Sequence, residues 1–266
     1  MRKKYKLKLL QIETTNVCNA NCKFCIHSSI KKFGTMSDKL FEKILLDAKK
    51  INSLTTIVPM LLGEPFCDKK IIKRLKLINE ILPNLSIHLF TNGSLVTPKI
   101  IKQLKNIDNI VMHFSLNGTN SETRKKVMGV SYDDYDYVVE MIKLYQNTGK
   151  PFEVTCVAHP SISDGEFKKF KSFGFPTKLI KYGNWTGEKF NSIKATRCSR
   201  AINELTIMYD GRVNLCCMEY GKVIFGDVNS SSIKSIWDSP HRQMYCEAHS
   251  FGKFLLGPCS NCNYSQ

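Results

Sequence analysis

The stretch Cys18-Asn19-Ala20-Asn21-Cys22-Lys23-Phe24-Cys25 puts three thiols within eight residues, spaced x3 then x2, after the largely apolar run Leu7 to Ile12. The apolar run reads as a strand and the cysteines as the loop at its end. Three thiolates on one tight loop can hold three irons of a cubane 4Fe-4S cluster, because soft sulfur donors suit such clusters and the short spacing lets one loop wrap one face. The fourth iron is then left without a protein ligand nearby, and an open iron is a reactive one. Zinc is the plainer alternative, but zinc sites usually take four ligands in paired blocks. His27 could supply a fourth, at an awkward distance of two from Cys25.

Outward from this loop, the pattern alternates. Asp38 to Lys50 carries Leu40, Phe41, Ile44, Leu45 and Ala48 on one helical face, and Thr55 to Leu62 reads as a buried strand. Helices are expected over Lys69 to Leu82, Pro98 to Leu104 (proline in the first turn), Tyr132 to Gln146 and Gly165 to Phe173. In the third of these, Tyr135, Val138, Val139, Ile142 and Tyr145 are expected to face inward. Strands are expected over Ser86 to Phe90, Ile110 to Leu116, Phe152 to Ala158 and Thr177 to Tyr182. Strands and helices in this rhythm imply parallel βα units. Six strands are too few to close an eight-fold barrel, so the expected fold is α/β, a splayed partial (β/α)6 TIM-like barrel. In such a fold the chemistry gathers at the C-terminal strand ends. The turn motifs fall there: Gly63-Glu64-Pro65, Thr91-Asn92-Gly93, Ser115-Leu116-Asn117-Gly118 and Gly183-Asn184-Trp185. Singly these are ordinary turn residues; their shared placement makes them candidates.

From about Ala195 the rhythm stops and cysteines return, so domains are expected at 1–194 and 195–266. Leu205 to Tyr209 and Val213 to Cys217 flank Asp210-Gly211, a hairpin signal. Ser232 to Ala248 reads as helical with a break at Pro240, and the tail holds Cys259-Ser260-Asn261-Cys262. Cys198, Cys216, Cys259 and Cys262 can converge into an S4 site. Zinc and iron-sulfur both accept four thiolates. Cys217 could replace Cys216, since neighbouring strand residues face opposite ways. Cys67, Cys156 and Cys246 are left as buried structural thiols.

Composition narrows the class. The 266 residues are 42% hydrophobic, enough for a substantial core, and no stretch reaches eighteen uncharged apolar residues. The start Met1-Arg2-Lys3-Lys4 runs on without a signal-peptide core, so a soluble, cytoplasmic protein is expected, with no membrane partner. Eleven cysteines grouped in ligand-like sets, in a chain this long, point to reduced metal-holding thiols rather than disulfides. The net charge of +16 is spread over lysines with no aromatic stacking pattern between them, which argues against a nucleic-acid partner. Such a field would favour encounter with anionic substrates or an acidic electron donor.

With its three cysteines and Phe24 in the aromatic position before the last of them, the chain resembles the radical S-adenosylmethionine (SAM) superfamily. The resemblance runs from about Leu9 to Tyr264 and implies a SAM-binding 4Fe-4S cluster on Cys18, Cys22 and Cys25. It implies that Gly63-Glu64-Pro65 pairs with the methionyl ammonium of SAM, with Leu62 where the family commonly has a further glycine. It places Ser115 and Asn117 at the SAM carboxylate and ribose and Asn92 on the barrel floor. Where relatives often carry Ile-Arg-Gly, this chain reads Val127-Met128-Gly129. Arg124, one turn earlier, is the candidate replacement, against the commoner case of a surface arginine.

The C-terminal cysteines resemble the Twitch form of the SPASM extension, a small α+β appendage, and this decides for iron: one auxiliary 4Fe-4S cluster with every iron held by protein. The implied activity is hydrogen abstraction by a 5'-deoxyadenosyl radical from a small-molecule substrate, with the auxiliary cluster taking the second electron. Dehydrogenation of a polyol, sugar or aminocyclitol-like compound is the leading expectation, with reduced flavodoxin or ferredoxin as electron donor. A peptide-modifying maturase is the alternative, weakened because the first strand starts about six residues in. A non-catalytic metal-binding protein would explain the cysteines but not the strand-end motifs.

Overall fold

A computed structural model describes residues 5–183, 198–253 and 257–262. Asn184 and Trp185 of the last strand-end motif, the loop Asn184 to Lys194, the boundary at 194/195 and residues 263–266 lie outside them. The strands are β1 (Leu9–Ile12), β2 (Thr56–Val58), β3 (Ser86–Thr91), β4 (Ile110–Ser115), β5 (Phe152–Val157), β6 (Thr177–Ile180), β7 (Glu204–Ile207), β8 (Arg212–Asn214) and β9 (Ile224–Asp227). The helices are α1 (Asp38–Ala48), α2 (Ile71–Ile81), α3 (Pro98–Leu104), α4 (Ser121–Met128), α5 (Asp134–Gln146), α6 (Asp164–Lys171), α7 (Arg200–Asn203), α8 (Ile233–Trp237) and α9 (Pro240–Ser250). All six expected strands of the βα series are present. The second shrinks from Thr55–Leu62 to Thr56–Val58.

By compactness the chain divides into two units. One comprises Thr15–Phe33 and Leu62–Tyr182; the other comprises Met1–Thr14, Gly34–Leu61 and Gly183–Gln266.

In the first unit, β3 to β6 pair in sequence order, all parallel. Ile87 and Leu89 of β3, Met112 and Phe114 of β4 and Val154 of β5 are fully buried on one sheet face. Phe114 meets Tyr145 of α5 edge-on with centroids 5.7 Å apart, so that face carries the helices. Each such side chain contributes about 1.5–3 kcal/mol by leaving water. The opposite face carries the alternate residues, among them His113 and Ser115. Helix α3 begins where expected, Thr97 accepting from Ile100 N and Pro98 filling the first turn.

Helix α4 was not legible in the sequence. Its run Ser-Glu-Thr-Arg-Lys-Lys lacks an apolar stripe, and it is defined by its ends: Asn120 accepts from Thr123 N, and Gly129 stops it at φ 66°. In α5 the expected face is shifted by one position. Val138, Ile142 and Tyr145 are buried, but Met141 joins them while Tyr135 and Val139 stay half-buried.

In the second unit β1 lies between β2 and β7, parallel to both. The Asp210-Gly211 hairpin is present as antiparallel β7 and β8, with Gly211 at φ 98°. Strand β9, not expected, continues the meander. Helices α8 and α9 are separated at Ser239-Pro240, where the serine caps α9. Among the described residues no helix is long and apolar enough to cross a membrane.

Candidate functional site

The three-cysteine loop is held by backbone contacts. Asn21 N donates to Met128 O and Lys23 N to Val127 O, each at 2.9 Å, and Glu64 N donates to Val17 O at 2.9 Å. These contacts explain two glycines. A Cβ on Gly63 would sit 2.2 Å from Thr15 O, and one on Gly129 would sit 2.9 Å from Asn21 O. They also give a use to Val127-Met128-Gly129, whose carbonyls, rather than side chains, grip the loop. The His27 ring lies 2.8 Å from Asn16 O through Nε2, an interaction within the loop itself.

Cys18, Cys22 and Cys25 are half-buried and free of disulfides. Burial raises all three pKa values, Cys25 to about 11. The charges of Cys25 and Cys18 push Cys22 up further, and Cys18 does the same to Cys25, so the three act on one another. Mutually repelling, desolvated thiolates are stable only around a cation, which is the requirement an iron cluster meets. Phe24 is half-buried, its ring 6.4 Å from that of His159 after β5. Cys67 departs from the expected buried structural role: it is half-buried, and partial burial, added to by the charges of Glu64 and Cys18, raises it to about 11.

Glu64 is 3% exposed. Its Oε1 accepts from Thr91 Oγ1 at 2.7 Å and Phe66 N at 3.2 Å, and its Oε2 from Asn92 N at 2.7 Å. Burial pushes its carboxyl up to about 7 against these three donors. Because both oxygens accept, the network is built for the ionised form, a buried anion at the strand ends. Asn92 donates through Nδ2 to Asn19 of the cysteine loop at 2.8 Å, joining the β3 end to the loop. Ser115 ends β4. Asn117, at φ 51°, is buried and accepts from Val157 N at 2.8 Å through its side chain, tying β4 to β5.

Arg124 is neither a surface residue nor an idle cation: it is 0% exposed. Nε meets Asp134 Oδ2 at 2.6 Å, Nη1 donates to Ser115 O at 3.1 Å and Leu116 O at 2.7 Å, and Nη2 donates to Asn92 O at 2.7 Å. One guanidinium thus fastens the ends of β3 and β4 to α5. With its donors engaged in this way, Arg124 shapes the floor of the site. Replacing it with Met is expected to lower unfolding free energy by about 3–5 kcal/mol, because the Asp134 carboxylate is left unpaired. Urea denaturation of the iron-free protein measures this, and an unmoved midpoint would refute the fastening role.

Sequence reasoning also passed over a side-chain row on the face opposite the helices. His88 Nδ1 lies 2.9 Å from His113 Nε2, and His113 Nδ1 lies 3.3 Å from Glu153 Oε2. Phe90 stacks on His113 at 4.1 Å, and burial depresses the His113 pKa to about 4. No sequence signal links residues on three separate strands; only their register does.

In the second unit the C-terminal cysteines are linked electrostatically through Cys198. Cys198 and Cys262 both act on Cys259, and Cys198 acts on Cys216 and Cys217. Burial is the largest cause of the raised pKa at Cys216, Cys217 and Cys259, the last to about 12. The strand argument separating Cys216 from Cys217 does not apply, because β8 ends at Asn214 and both lie in the turn beyond it. Asn214 shapes that turn, donating to Cys216 O at 3.0 Å and accepting from Gly221 N at 3.0 Å. Cys156 and Cys246 are buried, as expected.

Comparison with known proteins agrees with this division of cysteines. Residues 12–174 match the model of the radical SAM superfamily, and residues 198–263 that of an iron-sulfur cluster-binding domain, SPASM. A tungsten-containing aldehyde ferredoxin oxidoreductase cofactor-modifying protein of Pyrococcus furiosus is 29% identical over 111 residues, 41% of this chain and 31% of that one. The matched segment is thus about a third of that relative's length. Among solved structures, BtrN in complex with AdoMet and 2-DOIA aligns over 99% of this chain and 95% of its own, at TM-score 0.66 and 16% identity. SuiB of Streptococcus suis, bound to precursor peptide SuiA, aligns over 97% of this chain and 70% of its own, at TM-score 0.75 and 18% identity. At such identities the likeness establishes the fold, the TIM-like partial barrel with a small C-terminal extension.

Proposed function

Because the chain belongs to the radical SAM superfamily, we propose that it uses SAM to dehydrogenate a small polyol, sugar or aminocyclitol-like substrate. Cys18, Cys22 and Cys25 would hold the SAM-binding 4Fe-4S cluster, and Cys198, Cys216, Cys259 and Cys262, in residues 195–266, an auxiliary one. Such a cluster with SAM bound would supply radical chemistry on one-electron reduction, for which reduced flavodoxin or ferredoxin would be the donor. The protein's own share is placement. Gly63 lets the backbone come close, Glu64 offers a buried anion for the methionyl ammonium, and Ser115, Asn117 and Asn92 edge the floor that Arg124 fastens. Phe24 walls the loop.

The observation that carries the dehydrogenase reading is the electrostatic coupling of the C-terminal thiols. Cys198 acts on Cys216 and on Cys217, and Cys198 and Cys262 both act on Cys259. That is enough sulfur to hold every iron of one cluster. A cluster without an open iron has no site for substrate, which leaves electron acceptance. Alignment with the 2-DOIA complex over nearly the whole of both chains supports a small substrate. A peptide substrate is the second reading, favoured by the higher TM-score to the precursor-peptide complex. The test is anaerobic incubation of reduced enzyme and SAM with a panel of aminocyclitols and sugars. Ketone formation matched to 5'-deoxyadenosine is expected; turnover only with peptides would overturn the proposal.

Glu64→Ala is expected to weaken SAM binding by about 1.5–3 kcal/mol, the scale of a charged hydrogen bond, while iron content stays intact. Isothermal titration of the reconstituted variant measures it. Unchanged affinity would place Glu64 outside the SAM contact and leave it as a strand-end tie.

A further inference from the structure

On the face of the first unit's sheet opposite the helices, the layer next to the floor of the site is polar. Ser115, at that floor, pairs with Thr155 of β5; two residues earlier, His113 pairs with Phe90 on one side and Glu153 on the other. Two residues along a strand advance roughly 7 Å and return to the same face. Layers inside a barrel of this kind are usually filled by Val, Ile and Leu. A carboxylate in that place costs desolvation unless a partner uses it.

The hydrogen bonds fix which atoms donate. An ionised carboxylate only accepts, so His113 donates through Nδ1 to Glu153 Oε2 at 3.3 Å. Burial, with the charges of His88 and Lys178 adding to it, depresses the His113 pKa to about 4. The neutral ring therefore accepts at Nε2, from His88 Nδ1 2.9 Å away. One Glu153 oxygen is thereby pinned, while Oε1 has no hydrogen-bond partner among the described residues. The Glu153 side chain is 28% exposed and that of His113 10%, so the carboxylate is the open end of the row. His88 Nε2 has no partner among the described residues either, but it lies a layer further from Ser115. Lys178 of β6, paired with Thr155, offers donors only.

We propose that Glu153 is the base of the dehydrogenation, taking the hydroxyl proton of the substrate on Oε1, with His113 and His88 as its positioning residues. This rests on the dehydrogenase reading above. The substrate carbon gives its hydrogen atom to a SAM-derived radical and its hydroxyl gives a proton to Glu153. The electron left behind goes to an oxidised iron-sulfur centre as the carbonyl forms. A hydroxyl beside a radical carbon is more acidic than an ordinary alcohol, so a carboxylate suffices as base. Positioned general bases contribute about 10²–10⁴-fold.

The test compares the reconstituted parent with Glu153→Gln, which keeps the bond from His113 but takes up no proton. Both are given SAM, a reductant and the deuterated aminocyclitol or sugar that the parent oxidises best. In Glu153→Gln, kcat for ketone formation is expected to fall about a hundredfold, with KM near the parent value and deuterium still reaching 5'-deoxyadenosine. Glu153→Asp is expected to recover part of kcat, and His88→Gln to cost less than Glu153→Gln. In the iron-free protein, nitrogen NMR of the imidazoles is expected to show His113 protonated on Nδ1; protonation on Nε2 instead would break the row. Parent-like kcat in Glu153→Gln, a rise in KM alone, or a larger loss in His88→Gln would overturn the proposal and leave the dehydrogenase reading standing. No ketone from the parent with any member of the panel would sink both. If circular dichroism shows Glu153→Gln unfolded, Glu153→Ala is read in its place.

Discussion

Changing Cys18, Cys22 and Cys25 together to Ala is expected to leave about four irons per chain where the anaerobically reconstituted parent holds about eight, as two four-iron clusters require. SAM cleavage is expected to vanish altogether. The structure makes the experiment clean. The loop's shape comes from Asn21 N, Lys23 N, the Glu64 N bond to Val17 O and the glycine contacts, none of which uses a thiol. Removing three half-buried sulfurs should therefore spare the fold, and the C-terminal thiols belong to the other compact unit. Iron analysis together with circular dichroism checks both points. A parent holding stoichiometric zinc and no iron would end the radical assignment.

The second large effect concerns the auxiliary thiols. Cys262→Ala removes one of the four thiols and leaves Cys198, Cys216 and Cys259 in place. The folded variant is expected to cleave SAM and take hydrogen from substrate while release of oxidised product falls on the order of tenfold or more. 5'-Deoxyadenosine should then exceed ketone, and deuterium from labelled substrate should appear in it. Cys216→Ala is expected to be milder, because Cys217 lies in the same turn and also feels Cys198. Product at the parent rate from a folded Cys262→Ala protein shown to lack the auxiliary irons, with no added oxidant, would make that site structural and remove the main support for dehydrogenation.

What could be read without coordinates was local chemistry. Three thiols at x3 and x2 on one loop, a hairpin at Asp210-Gly211, the prolines Pro98 and Pro240 at helix starts and the βα rhythm are each decided by neighbours a few residues apart. Helix α4 escaped for the same reason in reverse. Its stability comes from Asn120 and Gly129 at its ends and from a buried arginine, which no hydrophobic period announces.

Tertiary structure alone decided what the buried charges do. Glu64 and Arg124 were visible as residues, but not that one collects Thr91, Asn92 and Phe66, or that the other spends its donors on Asp134 and strand-end carbonyls. The same holds for Cys67 beside Cys18. The reason is physical. A metal-ligand loop works through sequence spacing, which is written in the chain, whereas the partner of a buried ion is whatever distant segment the packing brings within about 3 Å. Desolvation then makes that one partner decisive.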